Sequence, residues 1–459
     1  MSTPASTLII PVETRVRELD AKLLLACVAA ERGFPVVLGS RVYVHQQIQA
    51  FPRGVYLAKS LRPLSDRMFG ILRQLGHDIV AFDEEGLVRF PDDVYWSRRL
   101  SPQGLQQVAI LLGWGEESAR IFRESPGYPG NPIHVTGNPR IDMMRPELRG
   151  YYEDQVRGLR DRFGDFILVN TNFAMVNAFV PALNLFLPGQ PEVPGDAAVG
   201  LPLDFARGLA AHKRSLYGAF HRMVPALAEA FPGRTIVVRP HPSERFDPWQ
   251  ALAERYENVH VESSGNVVPW LLAAAVLVHN GCTTAVEAAV VETPAVAYRP
   301  VSSERYDLHL PNQVSHTAAD LGELSTCIAG ILDGKVGPLA DEIRRPILLR
   351  HLGALEGPLA ADRIVDVLEE AGYGSRCPPR PRLDRRIRGR AHLSARRAVK
   401  ILNRRRHGHK NASAYHEHRF PPISVSELQE RIERLGQQLG RFKKLRVERR
   451  GEWIFSIER

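Results

Sequence analysis

The chain has few cysteines, no long apolar runs and no paired metal-ligand spacings. Its 459 residues include four cysteines, Cys27, Cys282, Cys327 and Cys377. No two of them stand in CxxC or CxxxH spacing, which speaks against a disulfide framework or a zinc site and suits a reducing compartment. No stretch approaches the ~20 consecutive apolar residues that span a bilayer. Residues 1–7 are small and polar and lack the charged and apolar regions of a signal peptide. A cytoplasmic protein is expected. No internal repeat has a fixed period.

Composition is otherwise ordinary, with 44% hydrophobic residues and a formal charge of +9. That charge is localised. Residues 376–410 hold 14 Arg or Lys and one Asp, a local +13 that leaves −4 for the rest of the chain. Length alone allows two or three domains.

Short apolar runs alternate with helical periodicity. Strands are expected at 7–12, 35–39, 55–57, 79–82 and 133–136, with a helix over 18–32. A second alternation starts at Phe166-Ile-Leu-Val-Asn170. It continues through strands near 235, 258, 276 and 295 and ends in a helix at 360–371. Alternation of this kind implies parallel sheets covered on both faces. Four segments are expected: an α/β domain over 1–150, a second α/β domain over 160–373, a basic linker or membrane-surface segment over 374–422, and a C-terminal helix with a short extended piece over 423–459. Residues 181–204, rich in Pro, Gly and Leu, read as an irregular insertion loop. Ser426-x-x-Gln429 resembles a capping box. It opens a stripe of Leu428, Ile432, Leu435, Leu439, Phe442 and Leu445, short enough that docking on the body is expected over a free coiled coil.

Two stretches carry the chemistry. Thr235-Ile-Val-Val-Arg-Pro-His-Pro-Ser-Glu244 and Val276-Leu-Val-His-Asn-Gly-Cys-Thr-Thr-Ala-Val-Glu287 each read as a buried strand running into a polar turn. In open α/β sheets, ligands sit outside the carboxyl ends of the strands. The first turn offers Arg239 and His241. The second offers the amides around Gly281, the hydroxyls of Thr283 and Thr284, and a helix start. Helix N-termini favour phosphate through unpaired N–H groups and the helix dipole. Together they point to a nucleotide or nucleotide-sugar. Cys282 has no paired base and reads as a small residue fitting its turn.

This order of motifs, followed by the strand Pro294-Ala-Val-Ala-Tyr298, resembles glycosyltransferases of fold B. Among them it resembles the capsule Kdo transferases and, more distantly, UDP-N-acetylglucosamine 2-epimerases and polyol-phosphate polymerases. Ile10-Pro-Val-Glu-Thr-Arg-Val-Arg-Glu-Leu-Asp20, Asp83-Glu-Glu-Gly86 and Thr136-Gly-Asn-Pro-Arg-Ile-Asp142 look like a bacterial surface-carbohydrate biosynthesis group, over about residues 7–370. The resemblance implies an α/β fold of two Rossmann-like domains, and a transferase acting from a nucleotide-activated donor, possibly an acidic sugar such as Kdo from CMP-Kdo. It implies that Arg239, His241 and Ser243 serve the donor phosphate and that Thr283 and Thr284 cap it. Glu287 would then accept from ribose hydroxyls. His279 either faces the sugar or is packed.

Asp83, Glu84 and Glu85 follow a strand at its carboxyl end. Adjacent carboxylates raise one another's proton affinity, which suits a general base. Glu84 and Glu85 should point to opposite sides, and Glu85 is favoured because Gly86 frees the turn. Glu13, Arg15 and Arg17 follow the first strand, where an arginine would bind an acidic sugar's carboxylate. Asn138 and Arg140 follow another strand. No DxD loop stands apart from the Asp83–Glu85 pair, so metal-independent chemistry without a cofactor is expected.

The basic segment is expected to meet anionic inner-leaflet lipid and to bring the enzyme to its lipid-linked glycan acceptor. Nucleic acid is not an expected partner, because aromatic interleaving is limited to Tyr373 before the segment and Tyr415 after it. A sugar-nucleotide 2-epimerase or a polyol-phosphate transferase is the alternative. A noncatalytic scaffold fits less well, since Arg239, His241 and the acidic trio are all retained.

Overall fold

Short, continuously apolar runs become strands that are buried on both faces. The computed structural model describes residues 5–404, 416–417 and 419–459. Positions 405–410 of the basic segment, Tyr415 and the first four residues lie outside the described residues. The chain divides into two units. Unit 1 comprises 1–87, 99–151 and 349–459, and unit 2 comprises 88–98 and 152–348. Both are α/β with a mainly parallel, Rossmann-like sheet, as the alternation implies.

In unit 1 six parallel strands run β1 (Thr7–Val12), β2 (Val36–Ser40), β3 (Gly54–Ala58), β4 (Asp78–Ala81), β5 (Ile110–Gly113) and β6 (Ile133–Val135). Their spatial order is β2-β1-β3-β4-β5-β6. β1 is central, and all six of its residues are buried. The helix Arg15–Glu31 follows it and is buried almost all round, from Glu18 to Ala30. It begins three residues earlier than expected, which carries Arg15 and Arg17 out of the loop and into its first turn.

Unit 2 holds β7 (Ile167–Asn170), a hairpin of β8 (Phe186–Leu187) and β9 (Gln190–Pro194), then β10 (Ile236–Arg239), β11 (Val259–Val261), β12 (Val276–His279), β13 (Ala295–Tyr298) and β14 (His316–Ala318). Its sheet order is β11-β10-β7-β12-β13-β14, all parallel. The 28-residue helix Leu203–Ala230 lays Phe220, Met223, Val224 and Leu227 on the strands. Residues 181–204 are not an irregular loop. Leu185 and Phe186 pack with Phe90, Val94, Phe205 and Leu209 in a second small core. The excursion at 88–98 joins unit 2 for the same reason: Phe90 and Val94 are buried there.

After residue 348 the chain returns to unit 1. The helix Ala360–Glu370, expected to close the second domain, packs on Arg15–Glu31 instead. Its first two N–H groups are held by the Asp142 carboxylate at 2.8 and 2.9 Å. The basic stretch is a helix, Leu383–Arg404, rather than a linker. Its inner face, with Leu393 buried, lies on the helix Pro63–Leu75.

The last helix, Val425–Leu439, docks on the body through Leu428, Ile432 and Leu435. Its cap is Ser424, which accepts the Glu427 N–H at 3.0 Å, two residues before the expected box. Strands β15 (Arg446–Gly451) and β16 (Ile454–Glu458) then extend the sheet, with β16 antiparallel to β2. Gly39 permits this approach, because a Cβ there would collide with the Trp453 carbonyl.

Candidate functional site

In unit 1 the carboxyl ends of β1, β3 and β4 carry a dense ion-pair network. Glu13 accepts from Lys59 and Arg41, each at 2.8 Å, and from Arg419 at 2.7 Å. Glu18 accepts from Lys22 at 2.8 Å, from Lys59, and from the Glu13 N–H at 2.9 Å. Burial opposes ionisation of both carboxyls, but the surrounding cations hold them well below the usual carboxylate range. Lys22 also donates to the Pro11 carbonyl at 2.7 Å.

The acidic trio separates into three environments, because the chain turns at Glu84 and Glu85, with the Gly86 N–H donating to the Asp83 carbonyl at 3.0 Å. Asp83 is buried in a bidentate pair with Arg99, one arm at 2.9 Å. Glu84 has a side chain 8% exposed. It lies 4.0 Å from Lys22 and accepts from Asn138 Nδ2 at 3.4 Å. Glu85 points outward with a side chain 42% exposed and pairs with both arms of Arg17, at 2.8 and 3.3 Å. Desolvation raises its pKa, but Arg17, Lys59, Arg99 and Arg140 outweigh that and lower it to about 2.

The expectation of Glu85 as a base with raised proton affinity is therefore corrected: cations, not like charges, dominate its surroundings. A pocket is lined by Glu18, Lys22, Phe82, Glu84, Asn138 and Arg140. Glu84, not Glu85, is the member of the trio that reaches it.

Asn138 caps the short helix that follows β6, its side chain accepting the Arg140 N–H at 3.0 Å. Arg140 is buried and stands over the Trp114 ring at 5.7 Å. Arg15 does not serve a sugar carboxylate. It holds the C-terminal segment through the Pro421 and Pro422 carbonyls and Glu427. Arg17 is committed to Glu85. Asp142, which sequence reasoning did not single out, has its pKa raised to about 7 by burial, against the pull of the two helix N–H groups it accepts.

In unit 2 the sheet register sets Arg239, Asn170, His279 and Ala297 side by side at the carboxyl ends of β10, β7, β12 and β13. The turn after β10 is organised by Glu244. Its carboxylate accepts from Thr171 Oγ1 at 2.9 Å, Phe173 N at 2.8 Å, His241 N at 3.2 Å and Trp249 Nε1 at 3.4 Å. Burial pushes its pKa up to about 7 despite those donors. His241 accepts the Ser243 N–H on Nδ1 at 3.2 Å, so the neutral ring carries its proton on Nε2.

Arg239 is engaged by backbone carbonyls. Its two Nη groups donate to the Ser264 and Gly265 carbonyls at 2.8 and 2.6 Å, and it stands 5.1 Å from the Trp270 ring centroid. Desolvation lowers its pKa to about 10.

The turn after β12 pivots on a glycine and opens a helix. Gly281 has φ +79°, which favours glycine, and its N–H donates to His279 Nδ1 at 3.0 Å. His279 is fully buried and packed. Its Nε2–H donates to Ser315 Oγ at 3.0 Å, and that hydroxyl donates to the Pro311 carbonyl at 2.8 Å. Desolvation lowers its pKa to about 3, so the ring is neutral. Thr283 and Thr284 open the helix Thr283–Val291, whose first turn holds no acidic residue and whose start has no side-chain cap. Glu287 is buried one turn further in. Burial also raises the Cys282 thiol pKa, which fits a packed residue rather than a nucleophile.

Sequence reasoning missed Glu18, Lys22 and Lys59 in unit 1, and Asn170 and Glu244 in unit 2. The i,i+4 spacing of Glu18 and Lys22 was a visible signal. So were Lys59 and Asn170, polar residues closing apolar strands. Among the described residues no helix is long and apolar enough to cross a membrane.

No protein family and no curated protein matches the chain in sequence. Solved structures are similar to it over most of their lengths. The UDP-GlcNAc 2-epimerase of Neisseria meningitidis bound to UDP-GlcNAc has 12% identity, covering 79% of this chain and 99% of that one, with a TM-score of 0.47. The wall teichoic acid polymerase TagF has 10% identity over 81% and 89%, with a TM-score of 0.47. Anabaena HepE in complex with UDP-glucose has 10% identity over 80% and 100%, with a TM-score of 0.43.

Proposed function

We propose that the protein is a transferase that moves a sugar from a nucleotide-activated donor to a cell-surface glycan or lipid-linked glycan acceptor. The observation that carries the reading is the turn after β12. A left-handed glycine held by a neutral buried histidine leads into a helix N-terminus free of acidic residues. Such a start attracts phosphate through its N–H groups and dipole. Unit 2 thus takes the donor's phosphates, with His241 and Ser243 on the neighbouring turn, and Glu287 is assigned to the ribose. Arg239 acts by positioning the 264–265 loop.

Unit 1 supplies the general base. Glu84 takes the acceptor hydroxyl proton as the new glycosidic bond forms and the bond to phosphate breaks. The nucleotide leaves as an anion, stabilised by the helix start. Asn138 and Arg140 line the same pocket and are assigned to the acceptor. Arg15 and Arg17 are committed to other partners, so the choice of an acidic sugar such as Kdo does not rest on them.

The helix Leu383–Arg404 brings the protein to the inner face of the cytoplasmic membrane. Its outer face exposes Leu383, Ile387, Ile401 and Leu402 between arginines. Apolar side chains ringed by cations suit the interface of an anionic leaflet.

The test is a thermal-shift series with CMP-, CDP-, UDP- and GDP-activated compounds, followed by product analysis with the stabilising donor. A ligand that binds only the folded state raises its apparent stability. Stabilisation by at least one compound and its consumption in the presence of glycan acceptor are expected. No stabilisation by any of them rejects the reading, and an epimerised nucleotide formed without acceptor replaces it with the 2-epimerase.

A further inference from the structure

The helix Leu203–Ala230 of unit 2 buries a lysine. Lys213 is 4% exposed and makes no hydrogen bond or ion pair among the described residues. Burial depresses its proton affinity, against the opposing pull of Asp307, Cys282 and Glu244. Asp307 is already engaged by His212 at 2.9 Å and Arg299 at 2.6 Å. Glu244 already accepts from Thr171, Phe173, His241 and Trp249. The helix passes close to the turn that opens the helix Thr283–Val291: Leu209 and Ala210, one turn before Lys213, pack in one cluster with Leu308, whose Cβ lies 3.8 Å from where a Cβ on Gly281 would stand.

Asn280 begins that turn. It is 6% exposed, and neither its amide nitrogen nor its carbonyl oxygen meets a hydrogen-bond partner among the described residues. Asn170, 4% exposed and next to His279 in the register, leaves its Oδ1 unpartnered too. So does Asn312, whose Oδ1 lies 3.9 Å from where a Cβ on Gly281 would stand.

Buried polar groups are normally paired, and an ammonium buried without a counter-ion destabilises the fold that holds it. Three asparagines with buried, unpartnered polar atoms, with Lys213 on the neighbouring helix, describe a site whose partners come with the ligand. An anion alone satisfies Lys213 but not the asparagine carbonyls. A phosphate bearing a sugar satisfies both, because sugar hydroxyls donate where phosphate oxygens accept.

We propose that Lys213 is the cation that meets the anionic phosphate at this turn, while Asn280, Asn170 and Asn312 hydrogen-bond the hydroxyls of the sugar or ribose attached to it. This inference rests on reading unit 2 as the donor site and names the residues that do the work first expected of Arg239.

Two variants, Lys213→Met and Lys213→Gln, are compared with wild type by calorimetric titration with CMP, CDP, UDP and inorganic pyrophosphate, and by thermal melts of the empty protein. Wild type should bind at least one nucleotide more tightly than pyrophosphate. Both variants should lose at least tenfold in affinity for it, and the empty variants should melt at or above the wild-type temperature, since removing an unpaired buried charge relieves the fold. Asn280→Ala should narrow the gap between nucleotide and pyrophosphate. Unchanged affinity in the folded Lys213 variants overturns the inference and leaves the donor-site reading standing. Lower melting temperatures in both also overturn it, by marking the ammonium as part of the fold. Failure of wild type to bind any of the four probes overturns both.

Discussion

The strand ends of the two units are furnished in opposite ways. In unit 1 the charges are paired within the protein: Glu13 and Glu18 share Lys59, Lys22 bridges Glu18 towards Glu84, Asp83 faces Arg99, and Glu85 faces Arg17. In unit 2 the strand ends carry Arg239, held by backbone carbonyls, with amides, hydroxyls and a neutral histidine, and Lys213 makes no hydrogen bond or ion pair among the described residues. A rim that satisfies its own charges is pre-organised and holds a carboxylate in a fixed setting, as proton transfer requires. A rim that leaves its polar groups open relies on a ligand to complete it. On the function proposed above, acid–base work falls to unit 1 and phosphate recognition to unit 2.

The largest effect that sharpens this contrast is on turnover. Glu84→Gln keeps the shape of the pocket and removes the proton acceptor, so turnover should fall by about 10²–10⁴-fold with nucleotide affinity unchanged. Steady-state rates and a parallel titration check this, and wild-type turnover would take the base out of unit 1.

Next is the cost of opening the closed network. Glu18→Gln leaves Lys22 and Lys59 short of a buried counter-charge and should cost about 3–5 kcal/mol in denaturant unfolding. A loss under 1 kcal/mol would show that the network is looser than its geometry.

The smallest effect is at Glu85. Its exposed pair with Arg17 is worth at most about 1 kcal/mol, so Glu85→Gln should leave turnover near wild type. The pH dependence carries a sign. The folded pKa of about 2 lies below the ordinary glutamate value of 4.5, so the unfolded chain binds more protons between these values. The contribution of Glu85 to stability is therefore complete above about pH 4.5 and lost as the pH falls towards 2. Acid unfolding of Glu85→Gln should begin from a slightly less stable state and fall less steeply across that window. Identical acid profiles would mean the pair is not maintained in solution.

Much of this architecture was legible in the sequence, and the misses have physical reasons. β1, β2, β7, β10, β12 and β13 are continuous apolar runs, as strands covered on both faces must be. β14, His-Thr-Ala at the sheet edge, has too little apolar surface to stand out. The helix Ala360–Glu370 shows its buried stripe of Ile364, Val365 and Leu368, but a stripe does not say which sheet it covers, so its return to unit 1 was missed. The same holds for the site. The turn at Gly281 is local chemistry and could be read directly. The partner of Glu85 is Arg17, 68 residues away, and Arg239 is held by carbonyls 25 and 26 residues on. Lys213 lies in an amphipathic helix, where a lysine looks like a solvated one until the packing is known.

The measurement that bears most directly on the account is calorimetric titration of Gly281→Val with the nucleotide that best stabilises wild type. Gly281 has φ +79°, which a β-branched residue adopts only with strain, so the substitution should distort the turn and pull the helix start out of register with the phosphate. The account predicts at least a tenfold loss of affinity in a protein that still melts cooperatively. Wild-type affinity in that folded variant would contradict the placement of the phosphates at this turn.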